Sequence, residues 1–251
     1  MAEIHQLAQS AFYALAGALA TVDVSALGGG MIGLLLGAAG GALAWRLALS
    51  YQAALSQGAD PDFATAVTAL RGSLVGDRWL GRDAVLAALG VALAGVCLAV
   101  HGALYGLPHV LLCMCLLWLA CIDLRTGLLP DALTVPVFVL GVCLGPLAGW
   151  PALPAAGLVY GCTTGLSAAY RRLRGYDGMG GGDIKLMAAL AAWVGPLALC
   201  WIVLGACLAG LAYAMVAQRR ILPRGAYPFG PFLAGAAVPV LLAGTAVQSW
   251  F

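Results

Sequence analysis

The residues of this chain best placed to do chemistry are two aspartates, each beside a stretch that interrupts regular backbone. Asp123 ends an apolar run and is followed by Arg125, Gly127 and Leu129-Pro130-Asp131-Ala132-Leu133-Thr134. Asp183 follows Gly178-Met179-Gly180-Gly181-Gly182 and opens the next apolar run, with Lys185 two residues on. A helix C-terminus disfavours negative charge, so Asp123 needs compensation there, whereas Asp131 at a helix start reads simply as a cap. Glycines at 180, 181 and 182 let the backbone bend tightly and another chain approach closely. Two carboxylates a few ångströms apart cannot both ionise easily, so the pair keeps one proton. One can then draw a proton from water while the other polarises a peptide carbonyl. That is aspartic-protease chemistry, with neither a metal nor a nucleophilic side chain. The competing reading is local ion pairing, Asp183 with Lys185 or Asp123 with Arg125, and position alone leaves both open. A phosphate-cradling loop is a poor third, because GGGDIK lacks the Gly-Lys-Ser/Thr ending and no strand precedes it.

The elements that must hold these acids are membrane spans. Of 251 residues, 63% are apolar and 9% charged, against about 25% charged in soluble domains. The mean hydropathy is +0.99. Such a composition excludes an ordinary soluble domain, a disordered chain, a collagen-like repeat and a small disulfide scaffold. A net charge of +2 is too small to argue for a nucleic-acid partner. The expected fold class is all-α, a polytopic membrane protein with about eight transmembrane helices of about 20 residues each. The apolar runs fall near 27–45, 84–104, 107–122, 132–149, 152–170, 186–197, 198–217 and 229–248, with Gly195-Pro196 as the turn between the sixth and seventh. A further run, 7–22, reads as a span or an interfacial helix. No Lys or Arg precedes Arg46, so no cleavable signal peptide is expected.

Alternating these spans places all 12 basic residues in the segments 46–83, 123–131, 171–185 and 218–228, on one side of the bilayer. The positive-inside rule makes that side cytoplasmic, and both aspartates stand at its edge. The segment from Ser50 to Asp83 is the one sizeable loop and fits a short cytoplasmic helical hairpin. Gly33, Gly37 and Gly41 form a four-residue ladder suited to close helix packing. The eight cysteines all lie in apolar runs without a CxxC, which reads as small buried hydrophobes rather than a metal or redox site. His5, His101 and His109 stand away from both acids and read as interface residues, as do Tyr227 and Trp250.

Three segments in order then carry a family resemblance. Gly178-Met179-Gly180-Gly181-Gly182-Asp183-Ile184-Lys185-Leu186 matches GMGxGDxKL; Asp123 with Leu129-Pro130-Asp131-Ala132-Leu133-Thr134 matches an aspartate followed by [IL]PDxLT; and Pro228-Phe229-Gly230-Pro231-Phe232-Leu233 matches an FGPFL element. The chain resembles the type 4 prepilin peptidases, membrane aspartic peptidases that share GxGD. The resemblance implies that Asp123 and Asp183 are the catalytic pair, and that Gly180, Gly181, Gly182, Lys185 and Asp131 shape the site, with Lys185 tuning Asp183. It implies no metal and no cofactor for proteolysis. The implied substrates are type IV prepilins or type II secretion pseudopilins, cut between a basic leader and a hydrophobic helix at the cytoplasmic face of the bacterial inner membrane. It divides the chain into an N-terminal membrane segment, 1–106, and a GxGD peptidase core, 107–251. The first of these departs from the longer family members, because the loop 46–83 has none of their paired CxxC motifs. S-adenosylmethionine is implied only if the N-methylation of many members is retained, and no residue here locates that activity. Two other classes stand beside this reading. A proton-coupled transporter predicts acids near the midplane rather than at one face, and an inert pilus scaffold has no need of both aspartates.

Overall fold

The computed structural model describes residues 24–75, 81–144, 151–176, 178–219 and 227–243, and every regular element among them is an α-helix. The run 7–22, His5 and Trp250 lie outside the described residues. In chain order the helices are α1 (Val24–Ser56), α2 (Phe63–Val75), α3 (Gly81–Thr126), α4 (Asp131–Leu144), α5 (Ala152–Arg174), α6 (Gly181–Gln218) and α7 (Gly230–Ala243).

Two of these elements fold back on themselves at a glycine. Gly102 in α3 has φ 76° and ψ 171°, and Gly195 in α6 has φ 79° and ψ 168°, a conformation that a side chain would strain. In α3 the thiols of Cys97 and Cys113 lie 3.8 Å apart, where sixteen residues of straight helix would span about 24 Å. In α6, Gly182 abuts Leu129, Leu129 abuts Gly230, and Gly210 abuts Phe232 two residues further along. Positions 182 and 210 therefore stand at the same end of the molecule, although a straight helix would separate them by about 42 Å. Pro196 sits just after its bend, in the first turn of a new arm, where a missing N–H breaks no helical hydrogen bond. The hairpin expected at Gly195-Pro196 is thus present. The earlier turn falls at Gly102, slightly before the expected position.

α1 lies along α3. The carbonyl oxygens of Gly90 and Leu86 occupy the space that Cβ atoms on Gly37 and Gly41 would need, and Leu98 presses on Gly33. The glycine ladder is therefore a helix-packing seam. Trp118 Nε1 donates to Gly40 O at 2.7 Å, which ties α1 to the second arm of α3. On the other side α4, α5 and α7 all pack against α6 around fully buried Trp193, Leu190, Ile202 and Leu233. Trp193 Nε1 donates to Val137 O at 2.8 Å. Large apolar side chains also cover the outside, among them Leu35, Leu166, Leu173 and Val216, and helices apolar all round belong in lipid. Gly28–Ser56, Gly81–Gly102, Gly106–Thr126 and Gly181–Gln218 are long and apolar enough to cross a membrane, while Asp131–Leu144 and Gly230–Ala243 are shorter apolar helices.

One expectation changes in detail. Cys97, Cys113 and Cys121 are buried, but Cys143, Cys162, Cys200 and Cys207 face outward, since a small thiol is as much at home against lipid as inside the bundle. His101 and His109 meet at the Gly102 turn, where their rings stack at 3.9 Å and 12°, with His109 buried edge-on to Trp193. Tyr227 accepts a hydrogen bond from Gln218 Nε2 at 2.6 Å. The loop after Ser50 is helical at both ends, because α1 continues to Ser56 and Asp62 Oδ1 accepts from Thr65 N at 2.8 Å to start α2.

Candidate active site

α3 ends one turn after Asp123, at Thr126. Gly127, at φ 65°, donates its N–H to Asp123 O at 2.8 Å, a left-handed terminus that closes the last turn. Thr126 Oγ1 bonds back to Ile122 O at 2.9 Å. Pro130 then breaks the chain, and its carbonyl accepts from Leu133 N at 3.1 Å as α4 begins. Asp123 is thereby fixed at the tip of α3 and is only 5% exposed.

Asp183 arrives by a different construction. α5 ends at Gly175, in the left-handed region at φ 80°. The glycine-rich segment then leads to Gly180, which precedes α6 without any side-chain cap. Asp183 lies in the first turn of α6, where the exposed N–H groups and the helix dipole favour a negative charge. It is half-buried.

Leu129 brings the two segments together. A Cβ on Gly182 would lie 2.8 Å from Leu129 Cβ, and one on Gly230 would lie 3.1 Å from Leu129 Cδ2. The same Leu129 side chain is thus clasped by the GxGD segment and by the start of α7. The helix ends that carry Asp123 and Asp183 thus converge on one side chain. Gly230 contributes more than clearance: its backbone N–H donates to Asp123 Oδ2 at 2.9 Å in a buried hydrogen bond. This is the compensation that Asp123 needed at a helix C-terminus. A side chain at Gly230 would press on that oxygen, since its Cβ would stand 2.8 Å away. The motif Pro228-Phe229-Gly230-Pro231 marked the place in the sequence, but only the fold reveals its donor.

Neither expected local ion pair is present. Lys185 Nζ reaches across to Asp131, at 2.8 Å from Oδ1 and 2.6 Å from Oδ2, with both partners exposed. Asp131 therefore starts α4 and also binds α4 to α6. Arg125 turns its guanidinium over the Trp45 ring at 4.4 Å, and Arg82 stands over the same ring at 5.3 Å. Nearby, Arg46 Nε pairs with fully buried Asp83 Oδ2 at 2.9 Å. Of the three motif glycines, Gly180 borders the Asp183 carboxylate, Gly182 meets Leu129, and Gly181 faces open space. No cluster of three or more His, Cys, Asp or Glu side chains able to hold a metal occurs among the described residues. The arrangement offers two carboxylates at one end of the bundle, one hydrogen-bonded to the Gly230 amide and one at a glycine-flanked helix start. Chemically, that is a site for a water and a peptide group between two acids.

Comparison with known proteins places residues 110–215 in a match to the type IV leader peptidase family. That stretch holds Asp123, Asp131, Asp183 and Lys185. A prepilin leader peptidase/N-methyltransferase of Burkholderia pseudomallei (strain 1026b) is 41% identical over 142 residues, 53% of this chain and 45% of its own length. One of Aeromonas salmonicida (strain A449) is 37% identical over 153 residues, 58% of this chain and 52% of its own. The protein of that name in Escherichia coli (strain K12) is 40% identical over 159 residues, 60% of this chain and 67% of its own. The chain spans about half the length of the first two relatives. No solved structure matches.

Proposed function

Because the chain belongs to the type IV leader peptidase family, we propose that it is a membrane aspartic endopeptidase that removes the basic leader from type IV prepilins or type II secretion pseudopilins. The observation that carries this reading is the convergence of the Asp123 and Asp183 segments on Leu129, with Gly230 N bonded to the first carboxylate. In the proposed reaction the two carboxylates share one proton. The ionised one takes a proton from water as the oxygen attacks the peptide carbonyl, and the protonated one hydrogen-bonds the carbonyl oxygen as charge develops there. Collapse of the tetrahedral intermediate passes a proton to the leaving amine and returns the dyad to its starting state. Asp123 and Asp183 are the proposed catalytic residues. Gly180 and Gly181 give the substrate backbone room, Gly182 seats Leu129, and Lys185 with Asp131 braces the mouth of the site.

The segments holding Asp123, Asp131, Asp183 and Lys185 lie at one end of the bundle, which the positive-inside rule assigns to the cytoplasm. The proposed location is the bacterial inner membrane with the site facing inward, so that a basic leader stays in the cytoplasm while the following apolar helix lies in the bilayer. The proteolytic step uses no cofactor. S-adenosylmethionine would enter only with the N-methylation that the relatives' names carry.

The test is cleavage of a full-length prepilin in membranes, with the product mass read by spectrometry. Wild type should cut after the leader, and Asp123→Asn and Asp183→Asn should each lose about 10²–10⁴-fold or more in rate, the scale of acid–base catalysis. Membrane abundance of the variants should stay near wild type. Processing that survives either substitution, or that a chelator stops, overturns the dyad. An added methyl group on the product would show the second activity directly.

A further inference from the structure

At the basic end of the bundle, two arginines from different parts of α3 converge on one aromatic ring. α1 and the first arm of α3 run antiparallel along the glycine seam, where Gly37 faces Gly90 and Gly41 faces Leu86. One more turn along the same register sets Trp45 opposite Arg82, and Arg82 Cζ stands 5.3 Å from the Trp45 ring centroid. The second arm of α3 returns to the same level and lays Arg125 Cζ over that ring at 4.4 Å. The two guanidinium groups are therefore within about 10 Å of each other, near enough to repel even through salt. Arg46, next to Trp45, is committed to the buried carboxylate of Asp83 at 2.9 Å. We propose that Arg82, Arg125 and the face of Trp45 form a binding site for the phosphate of an anionic phospholipid. The proposal stands independently of the peptidase reading.

The charge here is not cancelled from within. Among the described residues no carboxylate lies within ion-pair distance of Arg82 or Arg125, and Arg125 Nε is buried with no hydrogen-bond partner. A buried donor on a charged group is costly unless an acceptor reaches it. A phosphodiester supplies acceptor oxygens to both planar forks and relieves their repulsion. What lies beside the charges identifies its source. Val85, Leu89 and Val96 follow Arg82 at three, seven and fourteen positions, all exposed, and so continue one face of the helix. They belong to Gly81–Gly102, which is long and apolar enough to cross a membrane. A cationic head above an apolar stripe that runs into the bilayer matches a phospholipid, phosphate first and acyl chains after, whereas a soluble anion has no use for the stripe. Tryptophan favours the level of the head groups, and basic pockets between membrane helices take acidic ones.

The full chain, purified in detergent and titrated with lipid under native mass spectrometry, should bind phosphatidylglycerol about tenfold or more tightly than phosphatidylcholine. Arg82→Gln, with Arg125→Gln, should bring the two lipids within about twofold of each other, the preference lost with both forks. Arg82→Gln alone changes an exposed side chain and should weaken phosphatidylglycerol about threefold or more, a readout that stands even where the double variant folds poorly. Arg172→Gln with Arg174→Gln removes the same charge from exposed positions of α5 and should keep the wild-type preference. Inorganic phosphate in large excess should displace no more lipid than sodium chloride of equal ionic strength. Equal binding of the two lipids by wild type, an unchanged affinity in Arg82→Gln, or the same loss in both double variants overturns the proposal. So does specific displacement by inorganic phosphate, which assigns the arginines to a soluble anion instead.

Discussion

Asp123 and Asp183 reach the same end of the bundle but are held by different means. Asp123 is nearly sealed, with its helix closed by the Gly127 turn and its Oδ2 fixed by an amide from a segment 107 residues away. Asp183 is half-buried on a helix start flanked by glycines, and no hydrogen bond to its carboxylate is present among the described residues. One acid sits in a socket and the other on a hinge-like approach. The contrast suits a site that must keep one carboxylate oriented while admitting a peptide beside the other.

The socket can be broken most sharply at Gly230. A methyl group there would collide with Asp123 Oδ2, and Gly230→Ala should lower kcat about 100-fold, the loss that a misplacement of ~1 Å can cause. On the other side of the comparison, Gly181→Ala meets open space and should cleave prepilin within about twofold of wild type, because an alanine at a helix start carries no steric or propensity cost. Equal activities for the two variants would erase the distinction. A smaller effect sharpens the role of Lys185. Exposed ion pairs contribute about 0–1 kcal/mol, so Lys185→Gln and Asp131→Asn should each reduce cleavage by less than about fivefold. The double variant should be no worse than the singles, since both remove one contact. A Lys185→Gln enzyme as inert as Asp183→Asn would instead assign the lysine to the aspartate. The smallest expected effect lies outside the bilayer at Asp62, whose carboxyl is held below the usual 3.8 by the Thr65 amide that it caps. A folded-state pKa lowered in this way adds stability above about 3.8 that is lost as pH falls through the folded value. Hydrogen exchange at the Thr65 amide should quicken over that acid range in wild type, and should lose this pH dependence in Asp62→Ala.

Much of this organisation was legible because its signals are local. Apolar runs, the Gly195-Pro196 break and the two aspartate segments follow from composition and backbone chemistry alone. The glycine ladder at Gly33, Gly37 and Gly41 announced the seam with α3. Side-chain partners were less legible, for a physical reason that the residues themselves contain. Asp183 and Lys185, like Asp123 and Arg125, are two apart on a helix, and residues at that spacing point to different faces. The local ion pairs were therefore disfavoured by geometry, and the lysine found Asp131 on another helix instead. Cys113 likewise meets Cys97 rather than Cys115, since the Gly102 turn sets neighbours that no linear spacing shows. The turn itself fell at Gly102 rather than between the runs 84–104 and 107–122, since a lone glycine within an apolar run carries no further mark of a bend. The Gly230 donor was invisible in principle, because a backbone N–H has no residue type to read.

That donor also sets an order of events during synthesis. Ribosomes deliver this chain from the first residue onward, so α3, α4 and the GxGD segment are all made before Gly230. Both acids are then present, but the amide that orients Asp123 is not. The bond to Asp123 can form only once the last described helix has joined the bundle, so the proposed site is completed after both of its acids are in place.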